Sequence, residues 1–354
     1  MSVKKQKQPV SWKRLSIFAA LFVALTLAGF FTVFEHFSGR SLTFDWQLLR
    51  PEFILASLAL LTVYFVSDGL RFYYTLVALG IKVSPKVMTK LVFINIFFSN
   101  ITPMATGGGF AQVWFLHEHG VSVGKAMAGS TIRTVLAVLF IFSLSPIFLL
   151  TLPPLQESSL SNSISSALAV FTVIYLAFFI VLLWRAVWLV TPMTGVVKGL
   201  YRLNLISQEK MRRWNFTLMR ELFKFSKSFS DYVRGPKKAI ILSVLHTALF
   251  LLALFSFPAL IMWGLGYDVP YLLSVGLLVV TTFIMYFSPT PGASGISEGV
   301  FGNFFNTLLE QHHLLLVTFS WRTLTIYLGM VIGLFILQHY LISRSKQSVQ
   351  VGYE

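Results

Sequence analysis

Five ionisable residues lie within or beside apolar stretches of the sequence, where an unpaired charge is costly. They are Asp68, Arg71, Arg133, Glu298 and Arg322. Each costs about 2.5–3.5 kcal/mol at the centre of an isolated membrane helix, so a group of five indicates function. Three cations against two anions leave one positive charge over, and that excess suits a phosphate-bearing ligand.

The spacing of these charges predicts ion pairs. Asp68 and Arg71 are three residues apart on one predicted helix and can pair with each other. Glu298 can pair with either Arg133 or Arg322. The alternative interpretation is structural: the pairs hold helices together, or the arginines lie near helix ends and extend to the interface.

Two segments rich in glycine and proline interrupt apolar runs. They read NITPMATGGGF at Asn100–Phe110 and SPTPGASGISEGVF at Ser288–Phe301. Non-helical backbone at membrane depth is tolerated only where protein buries it or water reaches it. A half-helix that begins at such a break exposes free N–H groups and the positive end of the helix dipole, and both favour anions. We therefore expect a binding site for an anionic group near the middle of the membrane.

The expected site residues come from both breaks and from the charges beside them. Glycine lets an anionic group approach the backbone closely, and arginine binds phosphate well. The expected substrate-binding residues are Thr106, Gly107, Gly108, Arg133, Gly292, Ser294, Gly295, Glu298 and Arg322. A structural or coupling role is expected for Asp68, Arg71, Pro103, Pro289 and Pro291. Asp68 and Glu298 are the acids placed to carry a proton.

The two breaks share the pattern T-P-x-A-[ST]-G, at Thr102–Gly107 and at Thr290–Gly295. An arginine–threonine pair follows each break, Arg133-Thr134 in the first case and Arg322-Thr323 in the second. The sequence therefore predicts an internal duplication. Because the charge pattern makes the two breaks enter the membrane from opposite faces, the second repeat is expected to be inverted.

Composition places the chain among membrane proteins. Of its 354 residues, 56% are hydrophobic and 12% are charged, whereas soluble domains are about 25% charged. We expect an all-α integral membrane protein, a single polytopic domain (1–354) with two broken re-entrant hairpins and about six full spans. The spans are expected at about 15–34, 52–79, 127–152, 163–190, 239–264 and 314–342. The expected divisions are a first repeat at 52–152, a basic interfacial segment at 191–237 and a second repeat at 238–342.

The net charge of +15 is concentrated at particular places. The N-terminus is basic, and the stretch Arg185–Lys238 carries twelve basic residues against three acidic ones. Because basic loops remain cytoplasmic, we expect both termini inside and a multi-pass protein of the inner (cytoplasmic) membrane. Nucleic-acid binding is set aside because the positive charge flanks the predicted spans.

The basic segment contains one amphipathic pattern. Leu218, Leu222, Phe225, Phe229 and Tyr232 fall on one face of a predicted helix. This pattern predicts a helix lying on the anionic inner leaflet. A solvated cytoplasmic hairpin that packs on itself is the alternative.

Several motif matches lack the context that their chemistry requires. Gly295–Gly299 fits G-x-S-x-G, but a hydrolase nucleophile needs a preceding strand. Neither His117–His119 nor His312–His313 has the spacing of a zinc motif, the chain has no cysteine and no P-loop is present. We expect no metal and no cofactor, and no nucleophile or acid–base pair identifies an enzyme. Gly329 and Gly333 predict close helix packing within the chain, with dimerisation as the alternative.

The motifs resemble the lysylphosphatidylglycerol synthase transmembrane region, a flippase-like membrane family. PTPGASGISE is similar to the family pattern P-x-P-G-G-x-G-x-x-E. The matching residues are Pro289, Pro291, Gly292, Gly295 and Glu298, with Ala293 in place of the second glycine. The first break and Arg133 also resemble the family pattern through Pro103, Gly107 and Gly108, and Arg71-Phe72 stands where an arginine–tryptophan pair is more typical.

The resemblance implies movement of an anionic or aminoacylated phospholipid, or of a lipid-linked headgroup, between leaflets. In the synthases a soluble aminoacyl-transferase domain follows the membrane region. This sequence ends at Glu354, so we expect no lysyltransferase activity from that domain. Two alternatives remain: a membrane enzyme that modifies lipid headgroups, and a non-transporting partner of a separate lipid-modifying enzyme. Assembly into a homo-oligomer is left open.

Overall fold

The computed structural model describes residues 45–153 and 207–350, with isolated positions at 20–27 and 170–203. Within these ranges the chain forms helices and turns and no strand, which confirms the all-α prediction. Apart from those isolated positions, the predicted spans at 15–34 and 163–190 lie outside the described residues, as do the chain termini.

Ten α-helices follow one another through the described ranges. A short 3-10 helix, Trp46–Leu49, precedes the first, and a π-helix, Thr323–Tyr327, joins the last two. The α-helices are α1 Pro51–Ala78, α2 Pro85–Ile101, α3 Thr106–Glu118, α4 Val123–Thr151, α5 Gln208–Val233, α6 Lys237–Gly264, α7 Tyr271–Met285, α8 Ile296–Phe305, α9 Gln311–Arg322 and α10 Leu328–Gln350.

Four helical stretches in the described part are long and apolar enough to cross a membrane. Three are α1, α4 and α6, and the fourth runs continuously through His312–Ser343. The predicted spans at 52–79, 127–152, 239–264 and 314–342 correspond to these four. Helix α7 is apolar but shorter, as expected for one arm of a broken hairpin.

Glycines allow two close helix contacts around this bundle. A Cβ added to Gly333 would lie 2.2 Å from the Phe93 carbonyl oxygen, and one added to Gly329 would lie 3.0 Å from Ile96. Both contacts join α10 to α2. The predicted packing of this glycine pair within the chain is confirmed for the described structure.

The two breaks in the helices meet. Residues 102–105 join α2 to α3 and residues 286–295 join α7 to α8, and Pro103 pairs with Pro291 in an isolated antiparallel bridge. Met104 and Ala105 have φ angles of 53° and 52°, and Gly292 and Ala293 have φ angles of 57° and 55°. Corresponding positions of the two T-P-x-A-[ST]-G motifs therefore adopt the same left-handed backbone conformation.

Helix α5 forms as the sequence predicts, but its apolar stripe contacts protein. Phe225 packs against Ala128 of α4, and the Tyr232 hydroxyl lies 2.7 Å from Ser243 Oγ of α6. Glu221 Oε2 accepts a 2.8 Å hydrogen bond from the Gly124 N–H. Burial raises the pKa of Glu221, but this hydrogen bond and the contact with Lys224 outweigh burial and hold the pKa below its ordinary value.

A second apolar row on α5 faces away from the bundle. Phe216, Met219 and Phe223 are each more than half exposed. Near this row Arg212, Arg213 and Arg220 are also exposed. The helix is therefore fixed to the bundle by the predicted stripe and presents a different mixed apolar and basic face.

Candidate functional site

A cavity of about 420 Å³ lies where the two breaks meet. Its volume falls in the range of small-molecule sites, about 300–1,000 Å³. Its wall takes residues from helices α1, α2, α3, α4, α6, α7 and α9, from the π-helix and from both breaks. The lining residues used below are Tyr64, Asp68, Arg71, Asn95, Gln112, Ser130, Arg133, Gly292 and Ala293.

Asp68 binds two arginines in the wall of this cavity. Arg71 Nε donates a 2.7 Å hydrogen bond to Asp68 Oδ1, as the i, i+3 spacing predicts. Arg133 Nη2, from α4, donates to the same oxygen at 2.5 Å. All three side chains are buried. Of the two partners considered for Glu298, Arg133 is therefore not the one that the structure provides.

The Asp68–Arg71–Arg133 cluster carries an excess positive charge and unused donors. Arg71 Nη1 and Arg133 Nε are buried and have no hydrogen-bond partner among the described residues. The Arg71 guanidinium also lies 3.7 Å above the centre of the Phe250 ring, which offsets part of its cost of burial. A bound anion would supply acceptors for both free donors.

Glu298 and Arg322 form a second buried pair, behind the cavity wall. Arg322 Nε lies 3.0 Å from Glu298 Oε1 in an ion pair whose N–H direction does not meet hydrogen-bond geometry. Arg322 Nη2 donates a 2.9 Å hydrogen bond to the Gly292 carbonyl oxygen. Neither charged side chain lines the cavity. In place of the expected contact with a ligand, Arg322 contacts the backbone of the cavity wall at Gly292 and Glu298 pairs with Arg322.

Glu298 also occupies the N-terminus of α8. Its Oε2 accepts a 2.7 Å hydrogen bond from the Gly295 N–H and a 2.8 Å hydrogen bond from Ser297 Oγ. A carboxylate at this position is stabilised by the helix dipole and satisfies a free N–H group. The anion expected at this half-helix is therefore a side chain of the protein itself.

Gly107 and Gly108 act in helix packing. A Cβ on Gly107 would lie 2.6 Å from Thr102, and one on Gly108 would lie 1.9 Å from Ser99 Oγ. The Gly107 N–H donates to Thr102 Oγ1 at 2.8 Å. These glycines let α3 approach α2, while Gly109 lines the cavity. The other expected residues outside the lining are Pro103, Thr106, Pro289, Pro291, Ser294 and Gly295.

Three lining residues that the sequence reasoning missed form a polar ladder across α2, α3 and α4. Gln112 Nε2 donates to Asn95 Oδ1 at 2.5 Å, and Ser130 Oγ donates to Gln112 Oε1 at 2.6 Å. The available signal was an isolated amide inside an apolar helix, which requires a partner in the membrane. Tyr64 was also missed; its hydroxyl donates to the Thr325 carbonyl oxygen, at 3.3 Å, inside the π-helix.

A separate group of ionisable side chains lies at the opposite end of the bundle from α5. Ligand atoms of Glu310, His312 and His313 come within 4.8 Å of one another. His313 Nδ1 lies 2.7 Å from the Tyr267 hydroxyl, and its Nε2 lies 3.3 Å from Asp45 Oδ2. Because both ring nitrogens have protein partners, a metal ion would have to displace one of them.

These features define a helical, multi-pass membrane protein with a charged cavity at the junction of two broken helices. The chain belongs to the family described as "Lysylphosphatidylglycerol synthase TM region", which matches residues 17–333. It is also similar to the "UPF0104 membrane protein" of Archaeoglobus fulgidus, with 23% identity over 290 residues, 82% of this chain and 85% of the relative. The family resemblance of the motifs is confirmed.

Proposed function

We propose that the protein moves the headgroup of an anionic phospholipid between the leaflets of the cytoplasmic membrane through the cavity between the two breaks. The observation that carries this proposal is the buried Asp68–Arg71–Arg133 cluster, with two guanidinium groups against one carboxylate. A phosphodiester carries one negative charge and brings the cluster to neutrality. In a site of low dielectric constant, that neutrality favours occupancy.

The free donors specify how a phosphate binds. Arg71 Nη1 and Arg133 Nε are enclosed and have no acceptor among the described residues, and a phosphate that reaches them would accept charge-assisted hydrogen bonds, which are short and strong. Asp68 is the one carboxylate among the lining residues, and both arginines already share it. The cavity therefore suits a simple anionic headgroup better than an aminoacylated one, whose amine would need an acceptor such as the Asn95 or Gln112 amide oxygen.

The acyl chains remain in the bilayer. The cavity is open and its volume fits a headgroup, so only polar atoms need to enter it. The paired prolines support an inverted repeat, in which α1–α4 and α6–α10 are related halves and rocking at the junction alternates access. The basic end of the bundle, with α5, faces the cytoplasm.

Lipid scrambling in proteoliposomes tests this function. Vesicles contain a labelled anionic or a labelled zwitterionic phospholipid, and wild type is compared with Arg133→Gln, Arg71→Gln and empty vesicles. Each substitution is expected to slow movement of the anionic lipid by about tenfold or more, because a hydrogen bond to a charged group contributes about 1.5–3 kcal/mol.

Arg212→Gln is the matched control, because Arg212 is an exposed arginine of α5 that lies away from the cavity. It is expected to keep the wild-type rate. Wild-type vesicles that match empty ones, or an Arg133→Gln protein that folds and scrambles at the wild-type rate, would contradict the proposal.

A further inference from the structure

A groove of about 730 Å³ lies between α4 and α5 and shares no lining residue with the central cavity. Helix α4 contributes Ile132, Val135 and Leu136 to one wall. Helix α5 contributes the other wall, and its lining residues are Phe223, Lys227, Phe229, Ser230, Tyr232, Val233 and Arg234.

The groove combines an apolar floor with a cationic edge. Its floor is aliphatic and aromatic, whereas Lys227 and Arg234 are exposed at its α5 side. No carboxylate lines the groove, and no ion pair within the described ranges involves either of these basic side chains. Both positive charges are thus available to an external anion.

The position of the groove along α4 matches the acyl region of one leaflet. Val135 lies about 18 Å along the helix axis from Val123, at 1.5 Å per residue. Helix α4 is long and apolar enough to span the membrane, so this wall lies at the depth of hydrocarbon chains. Phe216, Met219 and Phe223 give α5 an exposed apolar row at the same end of the bundle.

We propose that this groove is a binding site for one anionic phospholipid, separate from the translocation cavity. One acyl chain lies against Ile132, Val135 and Leu136, and the phosphate lies between Lys227 and Arg234. Charge complementarity selects the occupant. An apolar segment of protein would leave both cations without a partner, whereas an anionic lipid places an acyl chain on the apolar floor and its phosphate beside both cations. The site does not depend on transport activity.

Native mass spectrometry of the detergent-purified protein tests this site, with phosphatidylglycerol and phosphatidylcholine as probes. Lys227→Gln/Arg234→Gln is expected to weaken phosphatidylglycerol binding by about 25-fold, roughly fivefold per basic residue. Arg212→Gln/Arg213→Gln removes the same charge from exposed positions of α5 outside the groove and is expected to leave binding unchanged. Arg133→Gln is expected to lose only a lipid bound in the central cavity, so combining it with Lys227→Gln/Arg234→Gln should add the two losses if the groove and the cavity are separate sites.

Val135→Trp fills the groove without changing charge and is expected to displace the lipid. Equal losses in the two charge variants would mean that binding follows net charge alone, and this would overturn the proposal. Retention of the lipid by Lys227→Gln/Arg234→Gln, or equal binding of phosphatidylcholine by wild type, would also overturn it.

Discussion

Pro103 and Pro291 lie opposite each other, one from each break, at the same position of two T-P-x-A-[ST]-G motifs. A proline nitrogen cannot donate a hydrogen bond, so the bridge depends on the backbone of the flanking residues. The two chain segments meet where neither is helical.

This contact predicts that cysteines introduced at the two positions form a disulfide. Directly opposed residues of an antiparallel pair have Cα atoms about 4.5–5.5 Å apart, within the range that a disulfide spans. The chain has no cysteine, so Pro103→Cys/Pro291→Cys introduces the only two thiols. We expect oxidation to join them, as shown by intact mass, and to stop lipid scrambling until a reductant is added. Pro103→Cys/Pro289→Cys is the control. If this pair forms a disulfide equally well, the pairing of Pro103 with Pro291 is wrong.

The Asp68–Arg71–Arg133 cluster predicts that substituting Asp68 strongly lowers stability. A second substitution, at Arg133, is expected to restore part of it. Asp68→Asn leaves Arg71 and Arg133 buried without a carboxylate, and breaking a buried pair in this way costs about 3–5 kcal/mol. Asp68→Asn/Arg133→Gln restores the net charge of the cluster, so it is expected to be more stable than Asp68→Asn alone. Thermal unfolding in detergent, followed by tryptophan fluorescence, measures both. Additive losses would show that the two residues are not coupled.

Ala105 and Ala293 hold left-handed backbone, which costs an L-residue roughly 1–2 kcal/mol. Replacing either with glycine removes this strain and is expected to raise the melting temperature, although the added freedom of the unfolded chain offsets part of the gain. Ala128→Gly, at a buried position in the second turn of α4, is expected to lower it. A lower melting temperature for Ala105→Gly would contradict the observed backbone conformation, because Ala105 is exposed and loses little packing on substitution.

Glu221 makes the docking of α5 dependent on pH. Its pKa is held below the ordinary value of 4.5 by the Gly124 N–H and Lys224, against the effect of burial. A carboxylate whose pKa falls on folding stabilises the folded form fully above its unfolded pKa, and this contribution is lost as the pH falls through the lower folded value. The protection factors of the α5 amides, corrected for the intrinsic pH dependence of exchange, are therefore expected to fall below about pH 4.5 in wild type. Glu221→Gln should exchange faster at neutral pH and respond less to acid.

Sequence reasoning predicted the described helices and breaks well, because apolar length and glycine–proline clusters are local signals. The four long spans and the starts of α3 and α8 follow from such signals. The partners of the charges could not be predicted in the same way. Nothing local tells whether Arg133 meets Asp68 or Glu298, because that choice depends on how α4 packs against α1.

The same limit applies to the inner wall of the cavity. Asn95, Gln112 and Ser130 line it through a ladder that joins three helices. Each residue alone is an ordinary polar side chain, and their meeting is a consequence of tertiary packing. The amphipathic stripe on α5 was visible in the sequence, but its partner proved to be α4, and the exposed row on the other face had no comparable signal.

The bond from Arg322 to the Gly292 carbonyl oxygen makes the two breaks mechanically unequal. The second break is fastened to α9 and to its own helix start through a buried charge pair, whereas Pro103–Thr106 of the first break is exposed. A rocking motion at the proline junction would therefore not be shared evenly. Helices α2 and α3 would swing, while α7 and α8 would stay fixed as the surface against which they move.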